Sequence, residues 1–256
     1  MSYFLNKMKI IFHDKFLESY DRDPAAEEGR LDKASKLLCS KYPHIKPVPA
    51  SKDDVTLVHT QEYVSQVSKF EEVYNMALLA AGGAILAART ALTGEPAFAL
   101  IRPPGHHASQ TFGWGFCQFN NIAIAIQKLI HEGHIQTALI LDIDLHFGDG
   151  TDAIFLNRKD VTYVHLDEVQ NLHRDIANVN ICDLIGISAG FDRHISDWGG
   201  FMTTEEYHEV GKQVGSFSMQ HCPGKVFAVL EGGYNHEVLG DNILALLRGL
   251  EGSISG

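Results

Sequence analysis

The sequence predicts an α/β fold with a central parallel sheet covered by helices, and three observations predict it. Six short apolar runs are spaced along the 256 residues, long apolar segments suited to helices lie between several of them, and chemically active side chains cluster just after the runs. Short runs alternating with helix-length segments are the pattern of a parallel sheet with helices on its faces. With 45% hydrophobic residues the chain can bury a large core, and it shows no repeat, linker or low-complexity tract, so residues 1–256 are expected to form one domain.

In chain order, the expected strands are KIIF (9–12), AFALI (97–101), TALILDIDL (137–145), VTYVHL (161–166), DLIGIS (183–188) and KVFAVL (225–230). Each is short, rich in apolar residues and bounded by polar or turn-forming ones. The segments 75–92, 121–133 and 203–220 are long and apolar enough to be the covering helices. Ligands of open parallel sheets bind outside the carboxyl ends of the strands, so the residues that follow each run carry the functional argument.

After the run 97–101 comes RPPGHHAS (102–109), which puts the adjacent His106 and His107 behind a Pro-Pro-Gly corner. The next strand ends in LDIDLHFGDG (141–150). Side chains alternate along a strand, so Asp142, Asp144 and His146 are expected on one side and Ile143, Leu145 and Phe147 on the other. Asp149 follows in a glycine-flanked turn. Buried like charges are costly unless something compensates them, and a bound cation does so. DLIGISAGFD (183–192) adds Asp192 at a third strand end, completing with Asp144 and His146 a set of three protein ligands that leaves a position for water. Oxygen and nitrogen donors without thiolate suit Zn²⁺, and Fe²⁺ also fits. Asp142 and Asp149 remain to accept the Nδ1 protons of the two histidines. One imidazole can then serve as general base toward water, while the other, or the same one once protonated, delivers a proton to the leaving group. In VLEGGYN (229–235), two glycines precede Tyr234, whose hydroxyl could stabilise an oxyanion.

Composition narrows the partners. A net charge of −11 disfavours nucleic acid and anionic membrane surfaces and suits a cationic substrate. The four cysteines form no C-x-x-C pair, so free thiols are expected. The N-terminal MSYFLNKMKIIFHDKF lacks a leader-like apolar core and no stretch approaches 18 apolar residues without charges, which points to the cytoplasm.

RPPGHHA, GFCQFNN, LDIDLHFGDGT, SAGFD and EGGYN, in this order, resemble the motifs of the histone deacetylase superfamily, which includes acetylpolyamine amidohydrolases and acetoin-utilisation proteins. VHTQEYV (58–64) and DPAAEEGRLDKASKLL (23–38) are similar too. The resemblance implies the arginase/deacetylase-like three-layer α/β fold, a central parallel sheet flanked by helices; DIDLH does not match the two-manganese D-A-H-x-D pattern of the ureohydrolases. It implies Asp144, His146 and Asp192 as zinc ligands, Asp142 paired with His106, Asp149 paired with His107, His107 as the main general base, and Tyr234 as the carbonyl-polarising hydroxyl. Gly115 and Phe116 resemble a substrate-tunnel wall, and Asp142, Asp144, His146, His165 and Leu166 fall where the family often holds K⁺, mostly through backbone carbonyls. The implied activity is zinc-dependent removal of an acetyl or other acyl group from an amine, such as an acetyl-lysine peptide or a small cationic acetylpolyamine. The alternatives are a metal-binding member without turnover that acts as a binding protein, or a deacylase for a different acyl group.

The sequence also departs from the family pattern. VHLDEVQN puts His165 and Asp167 where many members have Ser-x-His. The segment 150–187 is short, no second aromatic tunnel wall can be named, and the loop after VHTQEYV lacks a recognisable substrate-gripping aspartate. A compact member with an open site is the expectation.

Overall fold

The computed structural model describes residues 8–177, 179 and 182–254; part of the N-terminal leader reading, on residues 1–7, lies outside that range. Each apolar run becomes a strand, most of them trimmed and β6 shifted one residue onward: β1 (Lys9–Ile11), β3 (Ala97–Ala99), β4 (Ala138–Asp142), β5 (Val161–His165), β6 (Leu184–Ala189) and β7 (Val226–Leu230). A further strand, β2 (His44–Ile45), has two exposed residues and therefore no apolar run to announce it. Among the described residues these form one sheet in the order β2-β1-β3-β7-β6-β4-β5, with every neighbouring pair parallel.

Register aligns the chemistry. Ala99 pairs with Val229, Val229 with Ser188, Ser188 with Asp142, and Asp142 with His165. One row thus crosses five strands at their carboxyl ends, and the loops leaving that row carry the histidine pair, Asp144, His146, Asp192 and Tyr234. The interior strands β4, β6 and β7 are buried at every position, as parallel strands covered on both faces must be.

The helices are α1 (Asp32–Lys41), α2 (Lys52–Val55), α3 (Gln61–Val67), α4 (Glu71–Leu92), α5 (Asn121–His131), α6 (Asp149–Phe155), α7 (Leu172–Ala177), α8 (Thr204–His221) and α9 (Leu239–Ile254). Helix α8 starts where a reciprocal cap forms, with the Glu206 amide donating to Thr203 Oγ1 and the Thr203 amide donating to Glu206. Helices α4 and α5 pack together, α4 against β1, β3 and β7 and α5 against β6, while α1, α8 and α9 make up the other helical layer. The expectation that no stretch approaches 18 apolar residues without charges meets its nearest case in α4, whose uncharged run is 73–88. By length and composition this helix qualifies as a membrane span, with mean hydropathy 1.4, yet 72% of that stretch is buried inside the protein, because the helix is covered by the sheet on one side and by α5 on another.

Candidate active site

Strand β4 stops at Asp142, not at Leu145, so simple alternation does not bring Asp142, Asp144 and His146 together. A relay of side-chain-to-backbone hydrogen bonds does. Asp142 Oδ1 accepts from the Asp144 amide at 3.0 Å, and Asp144 Oδ1 accepts from the His146 amide at 2.9 Å. Each short acidic side chain caps the residue two further on and curls the loop. Asp144 is buried, while His146 points into the open end of the site.

Asp144, His146 and Asp192 present donor atoms that all lie within 4.8 Å of one another. His146 Nδ1 is 3.2 Å from Asp192 Oδ2 and 3.4 Å from Asp144 Oδ1. Asp144 Oδ2 accepts from the Gly232 amide at 2.8 Å and Asp192 Oδ1 from the Leu145 amide at 3.0 Å, whereas buried Asp192 Oδ2 receives no well-directed hydrogen bond. Burial, then the neighbouring Asp144 charge, pushes the Asp192 carboxyl up to about 6. Burial also opposes ionisation of Asp144, but the His106 charge and bonds from His146 hold that carboxyl below its ordinary value. The two carboxylates beside its ring carry His146 up to about 10. Two buried carboxylates that draw a proton onto the imidazole between them are short of positive charge, and a divalent cation supplies it with ligands of the right type. A Cβ on Gly232 would lie 2.6 Å from Asp144 Oδ2 and 2.8 Å from Asp192 Cγ, so the first glycine of EGGYN is glycine by necessity of approach.

The histidine pair faces this cluster, with ring centroids 4.0 Å apart. His106 Nδ1 meets Asp142 Oδ2 at 3.0 Å and His107 Nδ1 meets Asp149 Oδ1 at 2.6 Å. Burial works against a charge on His106, but Asp144 and Asp142 on either side raise it well above the ordinary value. Burial, followed by the His106 charge, lowers His107. The two imidazoles therefore differ in state near neutral pH, one cationic and one neutral. Tyr234 lies across the cavity with its hydroxyl held protonated, burial raising it far above the ordinary phenol.

The site cavity measures about 160 Å³. Gly115 and Phe116 do wall it, and both take left-handed backbone conformations, at φ 57° and 68°. Glycine is required at 115, since a Cβ there would fall 2.5 Å from His107 Cδ2; for Phe116 the conformation is a strain held by the site. The second wall that could not be named from sequence is Trp198, in the loop after β6. Its ring stacks on Tyr234 at 4.0 Å and meets Phe116 edge-on at 6.2 Å. Trp114 packs on His107 at 4.1 Å and donates its indole N–H to Asp149 Oδ2 at 2.9 Å.

Sequence reasoning missed four more contributors. The Tyr163 hydroxyl donates to Asp142 Oδ2 at 3.0 Å and accepts from the Gly148 amide at 2.9 Å. Glu231, fully buried, accepts from the Gly105 amide at 2.6 Å and the His106 amide at 3.1 Å, and burial takes its carboxyl up to about 7. Arg30 donates to the carbonyls of Glu231 and Gly233 and holds its guanidinium 5.1 Å from the Tyr234 ring centroid. Of these, Glu231 and Arg30 sit inside stretches already singled out, EGGYN and DPAAEEGRLDKASKLL.

The fourth is Arg193, and it corrects the expected K⁺ site at Asp142, Asp144, His146, His165 and Leu166. The Asp144 carbonyl accepts from Arg193 Nε at 2.8 Å, the Leu166 carbonyl from Nη2, and the Asp167 carbonyl from Nη1 at 3.2 Å. Nη2 also lies 2.9 Å from His165 Nε2, and the Asp142 carbonyl already accepts from the Leu166 amide at 2.8 Å. The residues present do not fit a monovalent ion, because a side-chain cation uses their carbonyls.

Residues 25–173 and 169–250 match the family model of the histone deacetylase domain. A probable deacetylase of Archaeoglobus fulgidus is 31% identical, over 89% of this chain and 81% of that protein. A probable deacetylase of Methanothermobacter thermautotrophicus is 33% identical, over 81% of this chain and 79% of that protein. The crystal structure of the HDA15 HD domain superposes with a TM-score of 0.82 at 24% identity, covering 96% of this chain and 90% of that one, a likeness of fold.

Proposed function

This chain belongs to the histone deacetylase family of amidohydrolases, and from that premise we propose that it deacetylates amines with zinc held by Asp144, His146 and Asp192, its substrates being small cationic acetylated amines or acetyl-lysine side chains. One observation carries the reading: two imidazoles, each with its own carboxylate on Nδ1, face the Asp-His-Asp donor set and a phenol across one small cavity. A purely structural metal site has no use for the histidine pair or the phenol.

Zinc, when bound there, supplies a Lewis acid that polarises the acyl carbonyl and acidifies water. Asp149 fixes the Nδ1 proton of neutral His107, which leaves Nε2 to take a proton from the attacking water. The water oxygen bonds to the carbonyl carbon, the carbonyl electron pair moves onto its oxygen, and Tyr234 donates a hydrogen bond to that oxyanion. His106, with Nδ1 on Asp142 Oδ2 and Nε2 3.7 Å from Asp144 Oδ1, stands beside it. As the oxyanion collapses the C–N bond breaks and His107 returns the proton to the nitrogen, leaving the carboxylic acid and the neutral amine, which then exchange the acid's proton to give a carboxylate and a protonated amine. The cavity of about 160 Å³ favours a short acyl group.

The test is a panel of acylated amines assayed with and without chelator, on protein whose metal content is measured. Turnover should vanish with chelator and return with one equivalent of Zn²⁺ or Fe²⁺ per chain. Tyr234→Phe should keep the metal and lose roughly 10²- to 10³-fold in turnover, the usual scale for one oxyanion donor. Turnover that survives chelation, or a metal-loaded protein inert to every acylated amine, overturns the reading; the second result leaves a binding protein.

A further inference from the structure

Two of the departures from the family pattern, His165 at the end of β5 and Asp167 in the loop that follows, meet the same third residue, Arg193, the first through its ring and the second through its backbone carbonyl. We propose that the Arg193 guanidinium is a built-in substitute for a monovalent cation beneath the active site, so that the folding and turnover of this protein are independent of potassium.

The acceptors define what the position calls for. Carbonyl oxygens of Asp144, Leu166 and Asp167, brought together from the ends of β4 and β5, are the donor type that replaces the hydration shell of a hard monovalent ion. A guanidinium is permanently charged and presents five N–H groups in a rigid plane. Here Nε and both terminal nitrogens meet three carbonyls and the His165 ring. His165 Nε2 can only accept in this arrangement, since a guanidinium N–H only donates, and the ring carries its proton on Nδ1. Arg193 is 4% exposed and, among the described residues, pairs with no carboxylate, so its charge is met by carbonyl dipoles as an ion's would be. The Phe201 ring lies 5.7 Å from the guanidinium and covers it.

The substitution also positions the site. Arg193 directly follows Asp192, and its Nε holds the backbone of Asp144, so one side chain fixes the spacing between two carboxylates of the candidate metal set. An ion in that place can be lost on dilution and selected by size; a side chain cannot. Arg193 is thus a positioning residue, and its contact with the His165 ring accounts for His165 where the family pattern differs, while Asp167 contributes its backbone carbonyl.

The experiment compares melting temperature and turnover of an acetylated amine for the metal-loaded protein in potassium, sodium and choline chloride at one ionic strength. The wild-type protein should show the same values in all three salts. Arg193→Ala should lose roughly 10- to 100-fold in metal affinity or kcat/KM, the scale of a lost outer-shell partner, and should regain part of its melting temperature saturably with potassium and not with choline. Arg193→Lys keeps one charge but has a single point of donation, so it should fall between the two; if the alanine variant does not fold, the lysine variant carries the same salt titration. A saturable rise of the wild-type melting temperature with potassium overturns the proposal. So does an Arg193 variant that is only less stable and indifferent to the cation present. Melting gives the answer without turnover, so failure of the deacetylase reading would leave this result intact.

Discussion

His59 Nδ1 lies 2.8 Å from the Ser109 carbonyl and Nε2 accepts from the Asn120 amide at 2.9 Å, so this buried ring in VHTQEYV is neutral with its proton on Nδ1. Burial brings its pKa from 6.5 down to about 4. Between those values the unfolded chain holds a proton that the folded chain does not. The stabilising contribution is therefore complete above pH 6.5 and is lost as pH falls toward 4. Each pH unit crossed inside that window removes about 1.36 kcal/mol, which makes the loss about 2 kcal/mol between pH 7.5 and 5. Denaturant unfolding at the two pH values should show that much more loss for the wild-type protein than for His59→Asn; equal losses would remove His59 from the account. At this scale the sequence was most legible where partners are close along the chain or share a motif: Asp142, Asp144, His146 and Asp149 stand together in LDIDLHFGDG, and His106 and His107 are adjacent. Tyr163, Arg30 and Arg193 were not legible because each acts across loops whose meeting depends on strand register, and a register row such as Ser188–Asp142–His165 leaves no mark in a linear pattern.

Helix α9 shows why elements can be harder to read than residues. Its glycines, Gly240, Gly249 and Gly252, lower helix propensity, and no helix was expected over 239–254. Packing accounts for two of them. A Cβ on Gly249 would sit 2.0 Å from the His208 carbonyl oxygen of α8, and one on Gly240 would sit 3.1 Å from the Ala34 Cα of α1, so close approach of neighbouring helices overrides propensity. Gly249→Ala should cost about 1–3 kcal/mol through overpacking, seen as a lower urea midpoint with turnover of the folded protein unchanged; an unchanged midpoint would show that the crossing can relax. The loop after β6 was underread for the opposite reason, since a Trp in a Gly-rich loop carries no period. Trp198 is half exposed and walls the cavity beside Phe116. Trp198→Ala should raise KM for acetylated amines with long linear stems, by at most about fourfold per methylene, the value of moving one CH₂ out of water, and hardly alter KM for a short amide. Trp198→Phe should retain most of the discrimination. A loss of kcat that is equal for all stems at unchanged KM would mean that Trp198 acts only by bracing the Tyr234 ring, on which it stacks at 4.0 Å.

At the scale of the molecule the fold class was legible because six of the seven strands among the described residues are apolar runs; β2 and the short helices escaped because they bury too little to leave a pattern. Net charge belongs to this scale as well. The chain carries a total of −11, and the Asp149 side chain, 41% exposed, pairs with His107 of the cavity lining. Such a field raises the encounter rate of cations and disfavours anions, and exposed charges are screened over a Debye length of about 10 Å at 0.1 M salt. The contribution acts on association and belongs in kcat/KM at low substrate, leaving kcat alone. A monoacetylated diamine and a neutral acetamide of equal length differ in charge while presenting the same reacting group, so their ratio isolates the field from chemistry and from hydrophobic burial of the stem. Measured across a salt series, kcat/KM for the diamine should exceed that of the acetamide at low salt and decline as salt rises, while the acetamide stays level. Equal values, or a diamine value that does not decline, would sink the steering argument and leave the amide hydrolase reading untouched.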